Sequence, residues 1–216
     1  MKQSIAKHIA GLSTCDISDA FYRLNVAAKS RGGYIPHLRP LNPIKRISFG
    51  PSFTIKIVKD EEMNLSLVPK TQHFLDLAST GSVLVAQVDP GCTNAIFGGL
   101  MTRMATHKGL CGLVTNGRIR DVDEVSMFPI ICGGISSQGP KPFTKVESVC
   151  LPIEVNETSV YNGDFIFLDI NGALSIPVSM LDDVIVMAQK IKASEKSVEI
   201  SITKGETFTN SIKHRH

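Results

Sequence analysis

The chain has 216 residues, 43% hydrophobic and 20% charged, with 17 glycines and 11 prolines, a balance that fits one turn-rich globular domain spanning 1–216, since a single core serves up to roughly 250 residues before it splits. Lysine and arginine outnumber aspartate and glutamate by only 23 to 20, and the surplus is spread along the chain, so no nucleic-acid partner is expected. No apolar run approaches the roughly 18 to 20 residues that cross a bilayer, and Met1 to Lys7 lacks the apolar core of a signal peptide, so no membrane partner is expected and the expected location is cytoplasmic.

Ser13-Thr14-Cys15-Asp16 has the spacing of a capping box and predicts a helix through about Leu24, with Asp16 and Asp19 as acids favoured by the helix dipole. Phe53-Thr54-Ile55-Lys56-Ile57 alternates with period two, the pattern of a half-exposed strand. Ser82 to Val88 is almost continuously apolar, the pattern of a buried central strand. Between them, about Ser66 to Ser79 can form a helix. A loop, Asp89-Pro90-Gly91-Cys92-Thr93, leads to a second helix from about Gly98 to Lys108, which Gly109 ends, and Cys111 to Thr115 is the next buried strand before an Asn116-Gly117 turn. Strand, helix, strand predicts a right-handed parallel unit. Beyond Asp121 the texture is β-rich, with strands at Pro129 to Cys132, Val149 to Val155, Asp164 to Asp169 and Ala173 to Val178. A final helix, capped by Ser179 with Asp182 three residues later, carries Leu181, Val184, Ile185, Ala188 and Ile191 along one face.

Five cysteines, at 15, 92, 111, 132 and 150, are odd in number and show no Cys-x-x-Cys spacing, so neither a disulfide framework nor a zinc site is encoded. They read as reduced and mostly buried, with Cys92 in its glycine-bearing loop the thiol to test for reactivity.

Ligands of open parallel sheets gather beyond the carboxyl ends of the strands. One such end leads through Asp89 to the helix start Gly98-Gly99-Leu100-Met101; the other leads to Arg120-Asp121. If the two strands are neighbours, these segments share a rim. A helix start offers unpaired N–H groups to an anion, the Arg120 guanidinium matches a carboxylate, and Asp121 is a hard oxygen ligand suited to Mg²⁺ or Mn²⁺. Together they make a site for a small 2-oxo acid chelated to a divalent cation. Singly, each has a plainer reading: Gly-Gly before a helix is common, and an Arg-Asp dipeptide on a loop is often a surface ion pair. Asp123 and Glu124 read as solvated rim charges that could also bind waters around a metal. His107, spaced from Leu100 and Met104, reads as a helix-end histidine on or beside the packed face.

Gly98 to Arg103 followed by Gly112-Leu113-Val114-Thr115-Asn116-Gly117-Arg118-Ile119-Arg120-Asp121-Val122-Asp123 resembles the core signature of the RraA-like family, and similarity extends through Leu12 to Asp19, Gly50 to Thr54, Asn162-Gly163-Asp164 and Asp169 to Gly172. The family includes the metal-dependent class II 4-hydroxy-4-methyl-2-oxoglutarate aldolases. The resemblance implies an α/β fold, a three-layer swivelling β/β/α domain with one parallel and one antiparallel sheet, assembled as a homotrimer or dimer of trimers. It implies that Arg120 grips the carboxylate of pyruvate or oxaloacetate, that the backbone of Gly98, Gly99, Leu100 and Met101 holds its oxygens, and that Asp121 binds the metal. The aldolases also carry an acid, separated from the Arg-Asp pair by 20 intervening positions, to orient waters around the metal; here that position is Gly99. Asp89 is a possible substitute, and Glu195, or next Glu199, is the placement for a glutamate contributed by the adjacent subunit. The expected activity is a lyase that releases pyruvate and decarboxylates oxaloacetate. The rival is a non-catalytic docking protein, since the family's namesake inhibits ribonuclease E. A methyltransferase reading has no Gly-x-Gly-x-x-Gly after a strand to support it.

Overall fold

A computed structural model describes residues 2–25, 31–60 and 72–214. In chain order the elements are α1 (Lys2–His8), α2 (Thr14–Asn25), β1 (Gly33–Tyr34), β2 (Arg39–Pro40), β3 (Ser48–Lys59), α3 (Phe74–Leu77), β4 (Val83–Val88), β5 (Ala95–Phe97), α4 (Gly99–His107), β6 (Gly112–Ile119), β7 (Ile130–Ile135), β8 (Thr144–Val149), β9 (Ile153–Val155), β10 (Thr158–Val160), β11 (Phe165–Asp169), β12 (Gly172–Ile176), α5 (Leu181–Thr203) and α6 (Phe208–Ser211). They divide into two compact units, Arg31–Val178 and the flanking segments.

In the larger unit the strands run in the order β1-β12-β11-β3-β4-β6-β7-β2. The centre, β3-β4-β6-β7, is parallel, while β1, β12, β11 and the first half of β3 pair antiparallel. Strand β3 therefore belongs to both regions: Ser48 to Pro51 pair with β11, and Ser52 to Ile57 pair with β4. Alternation along the central strands divides the core between two faces. Leu84, Ala86, Val88, Leu113, Ile130 and Cys132 pack with Phe74 and Leu75 of α3 and Ala105 of α4. Val83, Val85, Val114 and Ile131 pack instead with Ile166, Leu168 and Ala173 of the antiparallel region and with Ile153, Val155 and Val160 of the β9–β10 hairpin. The result is an α/β/β arrangement of three layers with a parallel and an antiparallel region, in which a central strand has no solvent face and must be apolar on both sides.

The alternating stretch in β3 is less open than expected: Lys56 is partly exposed, but Thr54 is buried. Phe53, Ile55 and Ile57 face the helices, and on the opposite face Ser52 and Thr54 are buried too. Their hydroxyls donate to the carbonyls of Tyr161 and Leu151, each at 2.8 Å, which offsets the cost of burying them. The Asn116-Gly117 pair is not a turn: β6 runs through it to Ile119 as a local irregularity in its pairing with β7. Of the helix expected over Ser66 to Ser79, Phe74–Leu77 is helical, and residues up to 71 lie outside the described part. Val149 to Val155 contains two elements, the end of β8 and β9, broken at Cys150, whose φ is +60°.

Helix α4 ends as its glycine predicts. Gly109 has φ +70°, its N–H donates to the carbonyl of Thr106, and the N–H of Leu110 donates to that of Ala105, both at 2.9 Å, the paired bonds of a Schellman motif. Its packed face is Gly99, Thr102 and Ala105. The stripe of Leu100, Met104 and His107 faces solvent instead, so His107 is not on the packed face.

In the smaller unit the Ser13–Asp16 box forms: the N–H and Oγ of Ser13 donate to Asp16 Oδ2 at 2.7 and 2.8 Å, and the N–H of Asp16 donates to Ser13 Oγ at 3.3 Å. Helix α2 buries Ile17, Ala20 and Phe21, and α5 buries the five stripe residues from Leu181 to Ile191. The expected Ser179 cap does not form, because a 3-10 turn over Val178–Met180 moves the helix start to Leu181, with Met180 as an N-cap that makes no side-chain bond. No described helix is long and apolar enough to cross a membrane. None of the five cysteines forms a disulfide, but only Cys92 and Cys132 are buried. The burial of Cys92 runs against its choice as the accessible reactive thiol.

Candidate active site

The two strand ends do share a rim. Strands β4 and β6 are parallel neighbours from Val83↔Gly112 to Ala86↔Thr115. Beyond that point the pairing of β4 with β6 stops, and the side chain of Asn116 closes the end of β4, accepting from the N–H of Val88 at 2.7 Å and donating to its carbonyl at 2.8 Å. The chain loops out and returns as β5, which takes the vacated place beside the second half of β6, with Ala95↔Arg118 and Phe97↔Ile119 in parallel register. The N–H of Arg120 donates to the carbonyl of Phe97 at 3.0 Å. This short strand brings Gly98 and the start of α4 against Arg120 and Asp121. With only three residues it has too little pattern to be seen in the sequence.

At the rim, Asp121 Oδ2 accepts from the N–H of Gly99 at 3.1 Å and from Nε of Arg120 at 3.2 Å. The Gly99 bond first, then the Arg120 guanidinium, holds the Asp121 carboxyl below the usual carboxylate range against the opposing effect of desolvation. Asp121 is therefore ionised at neutral pH. Its backbone is left-handed, with φ +54°, a conformation that aspartate tolerates better than most residues. Both side chains remain open to solvent, at 43% for Arg120 and 36% for Asp121.

Missing side chains shape this rim. A Cβ on Gly98 would lie 2.7 Å from Asp121 Oδ2 and 2.8 Å from Arg120 Cγ, so only glycine lets the pair approach the helix. A Cβ on Gly139 would lie 2.8 Å from Arg120 Nη1. A Cβ on Gly99 would collide with the carboxylate of Glu124. Glu124 is carried there by a turn in which its N–H donates to the carbonyl of Asp121 at 2.9 Å, and its Oε2 pairs with Arg103 Nη2 of α4 at 3.1 Å. Sequence reading leaves Gly139 out, carries Arg103 only as part of the Gly98 to Arg103 signature, and treats Glu124 as a rim charge that could also bind waters around a metal. A signal for the contact does exist, since Glu124 follows Asp121 by three residues and Arg103 follows Gly99 by four, both one-turn spacings.

The N–H groups of Leu100 and Met101, in the first turn of α4, lie outside the helix's own ladder of bonds. Asp89 sits at the end of β4 with its N–H donating to the carbonyl of Ile57, and among the described residues no hydrogen bond or ion pair joins it to Arg120, Asp121 or Gly99. Glu195 and Glu199 lie on α5, in the other compact unit.

No group of three or more His, Cys, Asp or Glu that could hold a metal occurs among the described residues. The chemistry at the rim still fits a hard divalent cation. An ionised, one-third-exposed carboxylate beside glycines meets the need of Mg²⁺, which keeps most of its shell as water and substrate oxygens and takes one or two carboxylates from protein.

The chain resembles known proteins over most of its length. A family model described as RraA-like, Aldolase/RraA, matches residues 14–175. The protein DlpA of Legionella pneumophila is 26% identical over 208 residues, 95% of this chain, and the chain spans about a third (32%) of that protein's length. A Halalkalibacterium halodurans protein named "Putative 4-hydroxy-4-methyl-2-oxoglutarate aldolase" is 29% identical over 168 residues, covering 77% of this chain and 76% of its own. Among solved structures, an uncharacterized protein from Pseudomonas syringae pv. tomato superposes with a TM-score of 0.81 at 24% identity over 97% of this chain and 96% of that one. Streptomyces coelicolor RraAS2, described as an unusual member of the RNase ES inhibitor RraA family, superposes with a TM-score of 0.76 at 21% identity over 89% and 94%. With three quarters of its length matched by the family model, the chain belongs to the RraA-like family.

Proposed function

We propose that the chain is a divalent-cation-dependent lyase that cleaves 4-hydroxy-4-methyl-2-oxoglutarate, or a related 4-hydroxy-2-oxo acid, to pyruvate and a second carbonyl compound, and that it decarboxylates oxaloacetate. The observation that carries this reading is the convergence of Arg120, Asp121 and the Gly99 N–H at one glycine-lined rim. The aldolase name of the Halalkalibacterium relative supports it.

Arg120 turns its Nε edge to Asp121, which orients the guanidinium and leaves its Nη end to receive the carboxylate of a 2-oxo acid. The Leu100 and Met101 N–H groups, at the positive end of α4, add donors for the same anion. Asp121, with Oδ2 already held by two donors, keeps its negative charge for the cation. Mg²⁺ or Mn²⁺ bound there would act as a Lewis acid toward the enolate left when the C3–C4 bond breaks. Both reactions leave that pyruvate enolate, which is why one site serves them. The assembly that goes with this reading is a homotrimer or dimer of trimers, with Glu195 or Glu199 contributed by a neighbouring subunit.

A lactate dehydrogenase-coupled assay with Mg²⁺ or Mn²⁺ tests the reading: pyruvate should form from either substrate, and release no higher than that of Arg120→Ala would end it. The alternative, a non-catalytic protein that docks on a ribonuclease or other partner, draws support from Gly99 standing where the aldolases have an acid and from the inhibitor description of the Streptomyces neighbour. Calorimetric titration separates the two, because a pure docking protein should take up neither Mn²⁺ nor pyruvate.

A further inference from the structure

We infer that Glu124 is the second acidic group of this site, a positioning residue that reaches across the start of α4 into the space left by the absent side chain of Gly99. The inference rests on the reading of Arg120 and Asp121 as a cation and keto-acid site. Three features hold Glu124 in place. Its backbone is tied to Asp121 by the 2.9 Å N–H to carbonyl bond, so the two acids form one turn. Its carboxylate is drawn toward α4 by Arg103. At position 99, any Cβ would fall against its carboxylate and within 3.2 Å of its own Cβ.

Positions 99 and 124 therefore compete for one space: a side chain at position 99 would displace the Glu124 carboxylate from where it stands. With Gly99 that space is left to Glu124. The carboxylate then comes from the loop that also carries Asp121, and both acids end beside the Gly99 backbone, one on its N–H and one over its α-carbon. Two carboxylates at one rim attract a divalent cation more strongly than one, and the outer carboxylate accepts hydrogen bonds from waters around the cation, fixing how it and the keto acid sit. Arg103, 70% exposed at its side chain, is a solvent-screened partner that aims Glu124 and leaves it half open.

The test uses the full chain and reads Mn²⁺ binding by electron paramagnetic resonance, with and without pyruvate, beside pyruvate release. Glu124→Gln keeps the shape and removes the charge; Mn²⁺ affinity should fall by about 10- to 100-fold with the melting temperature unchanged. The double variant Gly99→Asp, Glu124→Ala returns an acid from the helix start and should restore Mn²⁺ binding, a rescue that a purely structural Glu124 would not allow. Wild-type binding in Glu124→Gln, or no recovery in a folded double variant, overturns the inference while leaving the Arg120–Asp121 site standing. If the wild type binds neither Mn²⁺ nor pyruvate, the underlying reading falls and takes the inference with it. Should Glu124→Gln fail to fold, Glu124→Asp, which keeps the charge and shortens its reach, must show the weakened Mn²⁺ binding instead.

Discussion

The same two strands, β4 and β6, form a closed centre and lead to a rim open to solvent. At their centres Leu84, Val85, Leu113 and Val114 are 0 to 1% exposed and pack on both faces of the sheet. A few residues on, where β5 has replaced β4, the rim is built of glycines, a left-handed aspartate and charges open to water. The centre supplies stability and says nothing about chemistry. The rim holds charges whose mutual attraction is worth little in solvent, and what it gains is placement. Substitutions should therefore separate cleanly: those at the centre remove the fold, and those at the rim remove binding from a protein that still folds.

The largest effect belongs to Leu113→Ala. Its side chain is 1% exposed in the core beneath α4, and truncation should cost about 2 to 5 kcal/mol in chemical denaturation. A cost below about 1 kcal/mol would mean that the central layer is not packed as described. Gly98→Ala comes next and points the other way. The added carbon would stand 2.7 Å from Asp121 Oδ2 and 2.8 Å from Arg120 Cγ, so the pair must leave the helix start. Mn²⁺ and pyruvate binding should be lost at a stability cost of about 1 to 3 kcal/mol. Retained binding in Gly98→Ala would erase the distinction between rim and centre. Ser13→Ala is a control in the smaller unit, far in sequence from the rim: loss of the box with Asp16 should cost about 1 kcal/mol and leave ligand binding unchanged.

What could be read from sequence follows the same division. Elements with a sustained period or a local stop signal are where the pattern puts them: the apolar strands β4 and β6, the stripe of α5, the Ser13–Asp16 box, and α4 with its glycine exit. Errors arise where a period has two physical readings. Ser52 and Thr54 look like a wet face and are buried, because hydrogen bonds to distant carbonyls satisfy them. At the rim the sequence brings Gly98, Gly99, Arg120 and Asp121 into view by motif and Glu124 as a rim charge, yet β5 and the place of Glu124 over Gly99 stay hidden. The first is too short to have a period. The second depends on a turn after Asp121 and on a side chain that is absent at Gly99, marked only by the three-residue spacing from Asp121.

The smallest effect is electrostatic and separates rim from centre by pH. The Asp121 carboxyl is held below its usual range by the Gly99 N–H and Arg120, whereas in the unfolded chain it titrates near 3.9, about the ordinary aspartate value. A folded value lower than the unfolded one adds stability that is fully present above the unfolded value and is lost as pH falls through the folded one. The difference in melting temperature between wild type and Asp121→Asn should therefore stay constant from neutral pH down to about 4 and shrink only below it. Because both partners are open to solvent, salt should reduce that difference at every pH. A difference that stays unchanged even below about pH 4 would show that the carboxyl is not held low. In that case the Gly99 bond, which brings the aspartate to the helix start, does not form in solution. The buried centre, with no ionisable group among Leu84, Val85, Leu113 and Val114, gives no such signal, so a pH dependence of this form can be assigned to the rim.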